Sequence, residues 1–522
     1  MISRNRQIES ARRYHERTAH SPHSVRAGGH SLDWDNKPAP FKIYPDLPAL
    51  TLPRHFPALT ADTLAALSGR GGEDGSLDLD SLAALLFFSA GVTKTKTFMG
   101  GVTMHFRAAP STGALYQTEV YVVAGDVTGL EPGVYHFCPG DFALRRLRAG
   151  DFRGAVALAA ADEALAAEPA VIVLSAIYWR NTWKYQARGY RHLFWDSGTM
   201  LANLLASATA LGAQARLVTG FVDREVNALL GLDAAKEAAL LLAPVGGAGR
   251  AAPAPPVVSA IEPAVLPLSE REVDYPLLRE VYEDSCLESE SEVLDWRDSP
   301  PPRVRSAAAA RGGCLPLPSA RAASGRALGE TIQARGSTRE FSRAAISAEE
   351  LSTALYHATR GFPSDASAGQ VDLYINVHAV DGLPAGAYAY HPKPHALEPL
   401  KRGDLRADSA FLCLEQSLGG TSSATVFFLA DLGSVLGRWG NRGYRLANLE
   451  AGFLGGRLYL GAYAQRFGAT GLTFYDADVV EFFSPHAAGK DALFVTALGR
   501  SVHGPAATHV PNPLSPQGRG QG

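Results

Sequence analysis

Apolar and polar positions alternate with a period of two through VYVVAG (Val120–Gly125) and LYINVHAV (Leu373–Val380), as in strands that bury one face. The unbroken apolar runs AVIVLSAIY (Ala170–Tyr178) and ATVFFLADL (Ala424–Leu432) read as buried strands, and each is followed by a predicted long apolar helix, Ser197–Leu211 and Leu449–Arg466. The elements recur in one order. YVVAGDVTGLEPGVYHF from Tyr121 matches YINVHAVDGLPAGAYAY from Tyr374, 253 residues on, and KYQARGYR from Lys184 matches RWGNRGYR from Arg438, 254 residues on. A near-constant displacement through strands, turns and a helix implies two copies of one fold. Sheet mixed with long helices predicts an α+β sandwich for each copy.

The length, 522 residues, is too great for one ordinary core and agrees with two domains. Between the copies, Gly246–Glu270 is rich in Pro, Ala and Gly and reads as a semi-extended linker. The expected domains are therefore residues 1–246, a linker at 247–270, a second domain at 271–505, and a disordered tail at 506–522. The acidic stretch from Glu270 to Trp296 reads as a helix with a solvated face and receives no role. A net charge of −3 offers no field to gather nucleic acid or anionic membrane, and neither partner is expected. No signal-peptide core or membrane-length apolar run is present, so a cytoplasmic location is expected. The four cysteines form no CxxC pair and no His cluster stands at metal spacing, so no metal site is expected.

Candidate chemistry begins with IQARGSTREF, which sets Arg335, Ser337 and Arg339 in a loop ahead of an amphipathic helix. Guanidinium forks can meet phosphate oxygens in pairs while a serine hydroxyl adds a short bond. Arg500 follows the last apolar strand of copy two directly after Gly499. Copy one offers Pro110, Ser111, Thr112 and Gly113 in a loop whose Pro and Gly allow backbone to approach a flat ligand closely.

These motifs resemble those of the FMN-binding nitroreductase superfamily. The segments YHERTAHS, LDWDNKPAPFKIYPDLPALTLPR, LEPGVYHF and WKYQARGYRHLFWDSG resemble its SagB/ThcOx-type dehydrogenases. The resemblance implies two tandem FMN-dependent nitroreductase-like domains, each a mixed or antiparallel sheet flanked by helices, joined as an intramolecular pseudo-dimer. It implies FMN as cofactor, phosphate contacts from Arg335, Ser337, Arg339 and Arg500, and ring contacts from the Pro110–Gly113 loop. It also implies a backbone approach to the flavin by Gly471, Leu472 and Thr473, and a bond to its pyrimidine edge from Gln416, which otherwise reads as a cap or surface amide. Lys184 and Tyr185 match a pair assigned as catalytic in azoline-oxidising relatives; on residues alone they read as a solvated loop lysine and a packed tyrosine. The RGYR arginines (Arg188, Arg191, Arg442, Arg445) occur in both copies, which points to fixing a loop rather than to catalysis.

Comparing the copies predicts a single working site. Aligning Leu351 on Leu82 puts Ala66, Ser68 and Arg70 at the first three phosphate positions of copy one, and Gly246-Gly247 replaces Gly499-Arg500. Copy two in turn has Pro363-Ser364-Asp365-Ala366, without the glycine, and Arg438-Trp439 in place of Lys184-Tyr185. The intact halves lie in different copies and meet only across an interface. The expected activity is FMN-dependent oxidation of a small heterocyclic or peptide-derived substrate, azoline-to-azole-like chemistry included. The alternatives are an NAD(P)H-dependent nitro- or quinone reductase and a flavin-free scaffold or peptide-binding protein. A fused pseudo-dimer can stand alone or pair again as a homo-oligomer.

Overall fold

A computed structural model describes residues 3–69, 76–98, 103–247, 249–299, 313–366 and 368–503. Arg70 and the tail at 506–522, both subjects of sequence expectations, lie outside the described residues.

Copy one contributes the strands β1 (Ala49–Thr51), β2 (Thr118–Ala124), β3 (Gly133–Cys138), β4 (Ala143–Ala149), β5 (Ala170–Ile177), β6 (Gln214–Ala215) and β7 (Glu237–Gly246). They form one sheet in the order β1-β4-β3-β2-β5-β7-β6. Copy two contributes β8 (Leu315–Pro316), β9 (Asp372–Val377), β10 (Gly386–His391), β11 (Ala396–Arg402), β12 (Ala424–Ala430), β13 (Gly468–Gly471) and β14 (Asp491–Gly499), ordered β8-β11-β10-β9-β12-β14-β13. Each strand of the first sheet thus has a counterpart seven places later, and all pairings within the two sheets are antiparallel. The predicted strands are present, and the two-copy α+β reading holds.

The helices that position the site are α1 (Glu9–Arg17), α2 (Tyr178–Tyr185), α3 (Gly189–Ala210) and α4 (Asp223–Leu230) in copy one. Copy two supplies α5 (Pro276–Asp284), α6 (Ala348–Ala358), α7 (Arg442–Ala464) and α8 (Asp476–Phe483). The long helices α3 and α7 start a full two turns before the sequence predicts. Their opening turns carry the RGYR arginines, so RGYR belongs to a helix start and not to a loop. The polar residues that hid these turns are buried all the same.

The copies cross where α3 meets α7. A Cβ on Gly198 would lie 2.4 Å from the Leu449 carbonyl oxygen, and one on Gly452, its equivalent, 2.3 Å from that of Trp195. Only hydrogen fits between backbones this close. The reciprocal contact is that of a twofold interface built inside one chain. The RGYR arginines reach across it in both directions. Arg188 and Arg191 donate to Asp476 at the start of α8 (2.9 and 2.5 Å), while Arg442 and Arg445 donate to Asp223 at the start of α4 (2.6 and 2.7 Å). All six residues are buried. Burial alone would raise both carboxyl pKa values, but the paired guanidiniums outweigh it and hold them below the usual carboxylate range.

Terminal arms complete the exchange. The Asn5 side-chain amide donates to the Trp439 carbonyl of copy two, and the amide of His20 donates to Asp476. The acidic stretch, given no role from sequence, is the counterpart: it forms α5 and a second helix (Glu290–Arg297), and its Leu287 amide donates to Asp223 of copy one. Downstream of β7 the linker runs back over copy one, where Leu266 donates to the Ile43 carbonyl and Ala39 to that of Leu268. Beneath it lies a groove of about 1210 Å³ bordered by Trp179, Thr182, Glu237 and Pro267. None of the candidate flavin residues lines it.

Candidate functional site

Residues singled out from both copies meet at one place. Arg335, where the chain leaves a short helix (Leu328–Ala334), donates through Nε to the Ala108 carbonyl at 3.0 Å and through a terminal nitrogen to that of Arg107 at 2.8 Å. Its guanidinium therefore grips copy one just ahead of Pro110. The exposed guanidinium of Arg339 makes no hydrogen bond or ion pair with a described residue, yet its charge bears on both Lys184 and Tyr185 at the end of α2. Ser337 shares a 3.1 Å hydroxyl contact with Tyr459 of α7, whose oxygen accepts the Gly471 amide at 2.6 Å. Leu472 donates to the Val495 carbonyl, and Thr473 contacts His20 of the N-terminal arm.

Arg500 is already engaged. Glu350, in the capping box that opens α6, takes both contacts of one Arg500 nitrogen (2.7 and 2.8 Å). Gln416 is not brought to the others by any described bond; its side-chain amide donates to the Cys413 carbonyl in its own turn at 2.8 Å.

The Pro110–Gly113 loop is shaped by a residue that motif reading passed over, Asp196 of α3. Its carboxylate accepts from the Ser111 hydroxyl (2.6 Å), the Thr112 amide (2.9 Å) and hydroxyl (2.8 Å), and the Gln117 side-chain amide (2.7 Å). Ser111 and Thr112 have thus committed their hydroxyl protons to holding the loop. What the loop presents instead is Gly113, at φ 65°, where a Cβ would stand 2.8 Å from the Tyr185 hydroxyl oxygen. Burial raises the Asp196 pKa to about 6 even against these four donors. Glu450, its counterpart in copy two, likewise accepts the Gly369 and Gln370 amides, and burial pushes it up to about 7. The signal available was the segment WKYQARGYRHLFWDSG itself, where Asp196 directly precedes the apolar helical run predicted from Ser197.

Burial and the adjacent charges of Arg339 and Lys37 lower the pKa of half-buried Lys184. Burial, then the charge of Asp196, raises that of Tyr185. The lysine is biased toward its neutral form and the tyrosine toward its protonated one.

The pseudo-symmetric position is filled by the protein itself. In copy one, Val218–Gly220, five to three residues before Asp223, corresponds to Gly471–Thr473, five to three residues before Asp476. Asp365, standing where copy one has Thr112, accepts there from the Thr219 amide (2.9 Å), the Thr219 hydroxyl (3.0 Å) and the Gly220 amide (2.7 Å). Leu217 and Pro363–Asp365 exchange backbone bonds around it, and Trp296 packs against Gly220. The sequence marks this loop only by its missing glycine. The structure adds that Asp365, at the Thr112 position, bonds to copy one there.

Two stretches of the chain, residues 78–247 and 332–499, match the nitroreductase family model. The chain belongs to the nitroreductase family. It carries that family's domain twice and is a nitroreductase-superfamily oxidoreductase. A solved nitroreductase-type structure from Anabaena variabilis shares the architecture almost end to end, at 28% identity and TM-score 0.76, covering 94% of this chain and 99% of that one. A protein of Methanocaldococcus jannaschii described as a nitroreductase is 35% identical over 171 residues, 33% of this chain and 81% of its own length. The trifolitoxin-processing protein TfxB of Rhizobium leguminosarum bv. trifolii is 29% identical over 37% of this chain, and the microcin B17-processing protein McbC of Escherichia coli is 28% identical over 26%. The matches span about half of those two proteins, 54% and 52%. Among the described residues, no helix is long and apolar enough to cross a membrane.

Proposed function

We propose that the chain is an FMN-dependent oxidoreductase of SagB/ThcOx type, with one FMN between the copies, that oxidises a small heterocyclic or peptide-derived substrate. The observation that carries this reading is the meeting of complementary halves at one position while Asp365 and Trp296 fill the other. The residues fit the cofactor. Arg339, without a hydrogen bond or ion pair to any described residue, offers its guanidinium to a dianionic phosphate, Arg335 and Ser337 flank it, and Gly113 lets the loop close directly on the Tyr185 hydroxyl. Arg500 serves the phosphate by sharing itself with Glu350. Likeness to two proteins named for processing peptide toxins supports a peptide-derived substrate.

FMN held there supplies a two-electron acceptor for a hydride. When an azoline-type ring is oxidised, one hydride leaves carbon and one proton must leave with it. Lys184, biased to the neutral amine, takes that proton, and Tyr185, kept protonated, orients the substrate by donating a hydrogen bond. Asp196 holds the loop opposite them. Molecular oxygen or another acceptor completes the cycle.

The test begins with the purified protein: flavin released on denaturation is identified as FMN or FAD, then anaerobic bleaching is followed with a thiazoline-containing peptide and with NAD(P)H. The expected results are FMN, and reduction by the azoline. Colourless protein that takes up no FMN would leave a scaffold, and bleaching by NAD(P)H alone would leave a nitro- or quinone reductase.

A further inference from the structure

Sequence spacing shows no metal site, but the fold draws together three side chains from positions 391, 398 and 486. His391 ends β10 and Glu398 lies on β11. In the strand register His391 pairs with Ala396 and Glu398 with Ala389, so the two are diagonal neighbours on one face. His486 arrives just after α8. His391 Nε2 stands 2.8 Å and His486 Nε2 3.6 Å from the same Glu398 carboxylate oxygen, and one ligand atom from each residue lies within 4.8 Å of the others. A tetrahedral zinc ion with bonds of about 2.0–2.2 Å holds its ligand atoms roughly 3.3–3.5 Å apart. The observed spacings bracket that separation.

Two further observations favour an ion over a plain histidine–glutamate pair. The Tyr374 hydroxyl engages His486 Nδ1 at 2.8 Å, which turns Nε2 to Glu398 in the way outer partners orient metal-bound imidazoles. Lys490, whose ammonium lies over the Tyr374 ring, is paired with Asp372 at 2.6 Å, which offsets part of its charge. Copy one lacks the arrangement: the equivalents of His391 and Glu398 are Cys138 and Arg145, and Arg145 pairs with Asp141. The triad is therefore not a requirement of the shared fold.

We propose that His391, Glu398 and His486 bind one divalent transition-metal ion of the zinc class, the fourth position being left to water. Glu398 lies on β11, five strands from β13 and hence about 24 Å across the sheet from the Gly471 edge, too far to take part in flavin chemistry. The ion instead ties the end of α8 to the sheet. Asp476 at the other end of α8 receives Arg188 and Arg191, so the ion holds in place a helix that joins the copies.

The test uses the full chain with its native flavin content. After removal of adventitious metal by chelation, Zn2+ is titrated calorimetrically at pH 7.5, with Co2+ absorption reporting coordination geometry. One saturable equivalent with a tetrahedral cobalt spectrum is expected. Glu398→Gln, close in size and shape, and His391→Ala with His486→Ala each weaken it at least tenfold, and Tyr374→Phe, which keeps all three ligands, weakens it by about 10- to 100-fold. Zinc raises the thermal midpoint of the native chain and not of these variants, while flavin content is unchanged. Equal zinc affinity and stoichiometry in Glu398→Gln and the double-alanine chain, or no saturable binding by the native chain, overturns the proposal.

Discussion

Removing the phosphate arginines one at a time should weaken FMN in an order set by what else each guanidinium does. Arg339 has no ionic partner among the described residues, so Arg339→Ala loses its charge-assisted contact alone. Such a contact is worth about 1.5–3 kcal/mol, or roughly ten- to 150-fold in affinity. Arg335→Ala should cost more, because the carbonyls of Arg107 and Ala108 also lose a donor at about 1 kcal/mol each and the approach to Pro110 loosens. Arg500→Ala should cost least, since Glu350 already neutralises much of that charge. The Arg335→Ala/Arg339→Ala double variant combines two contacts, about 3–6 kcal/mol, and should purify without flavin. Arg70→Ala should leave flavin unchanged, and Asp365→Gly should not raise the ratio, because opening the closed position restores no phosphate cations. The assay is flavin released per mole of chain, with fluorescence titration of apoprotein for each affinity. Two flavins per chain, half-retention in the double variant, or a loss with Arg70→Ala equal to that with Arg339→Ala would refute the single-site reasoning.

Lys184→Ala and Tyr185→Phe should retain FMN yet slow its reduction by substrate; unchanged single-turnover rates would make the pair structural. Because burial and Arg339 depress the Lys184 pKa, the reduction rate should rise with pH through that lowered value, and Arg339→Ala, supplied with saturating FMN, should move the rise to higher pH. Asp476→Ala and Asp223→Ala each strand two buried guanidiniums, so each should destabilise by about 3–5 kcal/mol in urea titration, and by similar amounts given the symmetry. Both carboxyl pKa values are depressed in the folded state. The stability they contribute is therefore present above about pH 4, the usual unfolded value, and lost as pH falls through the folded values. Gly452→Ala should cost roughly 1–3 kcal/mol or more by forcing α3 off α7, measured the same way; a neutral effect would mean the helices can separate at no cost.

The strands and the tandem repeat were legible because alternation and apolar runs are local properties, repeated at fixed displacement. What crosses between the copies was not. Arg188 and Arg191 find their carboxylate at Asp476, and Arg442 and Arg445 find theirs at Asp223, distances in sequence that no window spans. Repetition of RGYR in both copies hinted at structure, but it suggested a loop within each copy. The same polar residues hid the first two turns of α3 and α7, since burial by cross-copy ion pairs leaves no apolar signature. Asp196 was missed for a related reason: its importance lies in four donors on a loop about 85 residues upstream. The metal-type triad needed strand register to bring His391 to Glu398 and a helix to return His486.

Exchange of arms and ion pairs explains how one position can close while the other stays intact. Had each copy folded on its own core, the loop at Pro363–Asp365 would be free to drift, and its decay would leave an open hollow facing solvent. Here that loop stands against Leu217–Gly220 of copy one, and the arm carrying Trp296 is wrapped over the same face, so any side chain placed there gains buried partners. A carboxylate at Asp365 meets two backbone amides and a hydroxyl that would otherwise lack acceptors. Closing the second position thus adds stability to the interface, and that interface fixes Arg335 against Arg107 and Ala108 at the first. On the proposed single-site reading, loss of one site and preorganisation of the other follow from the same pseudo-twofold contact.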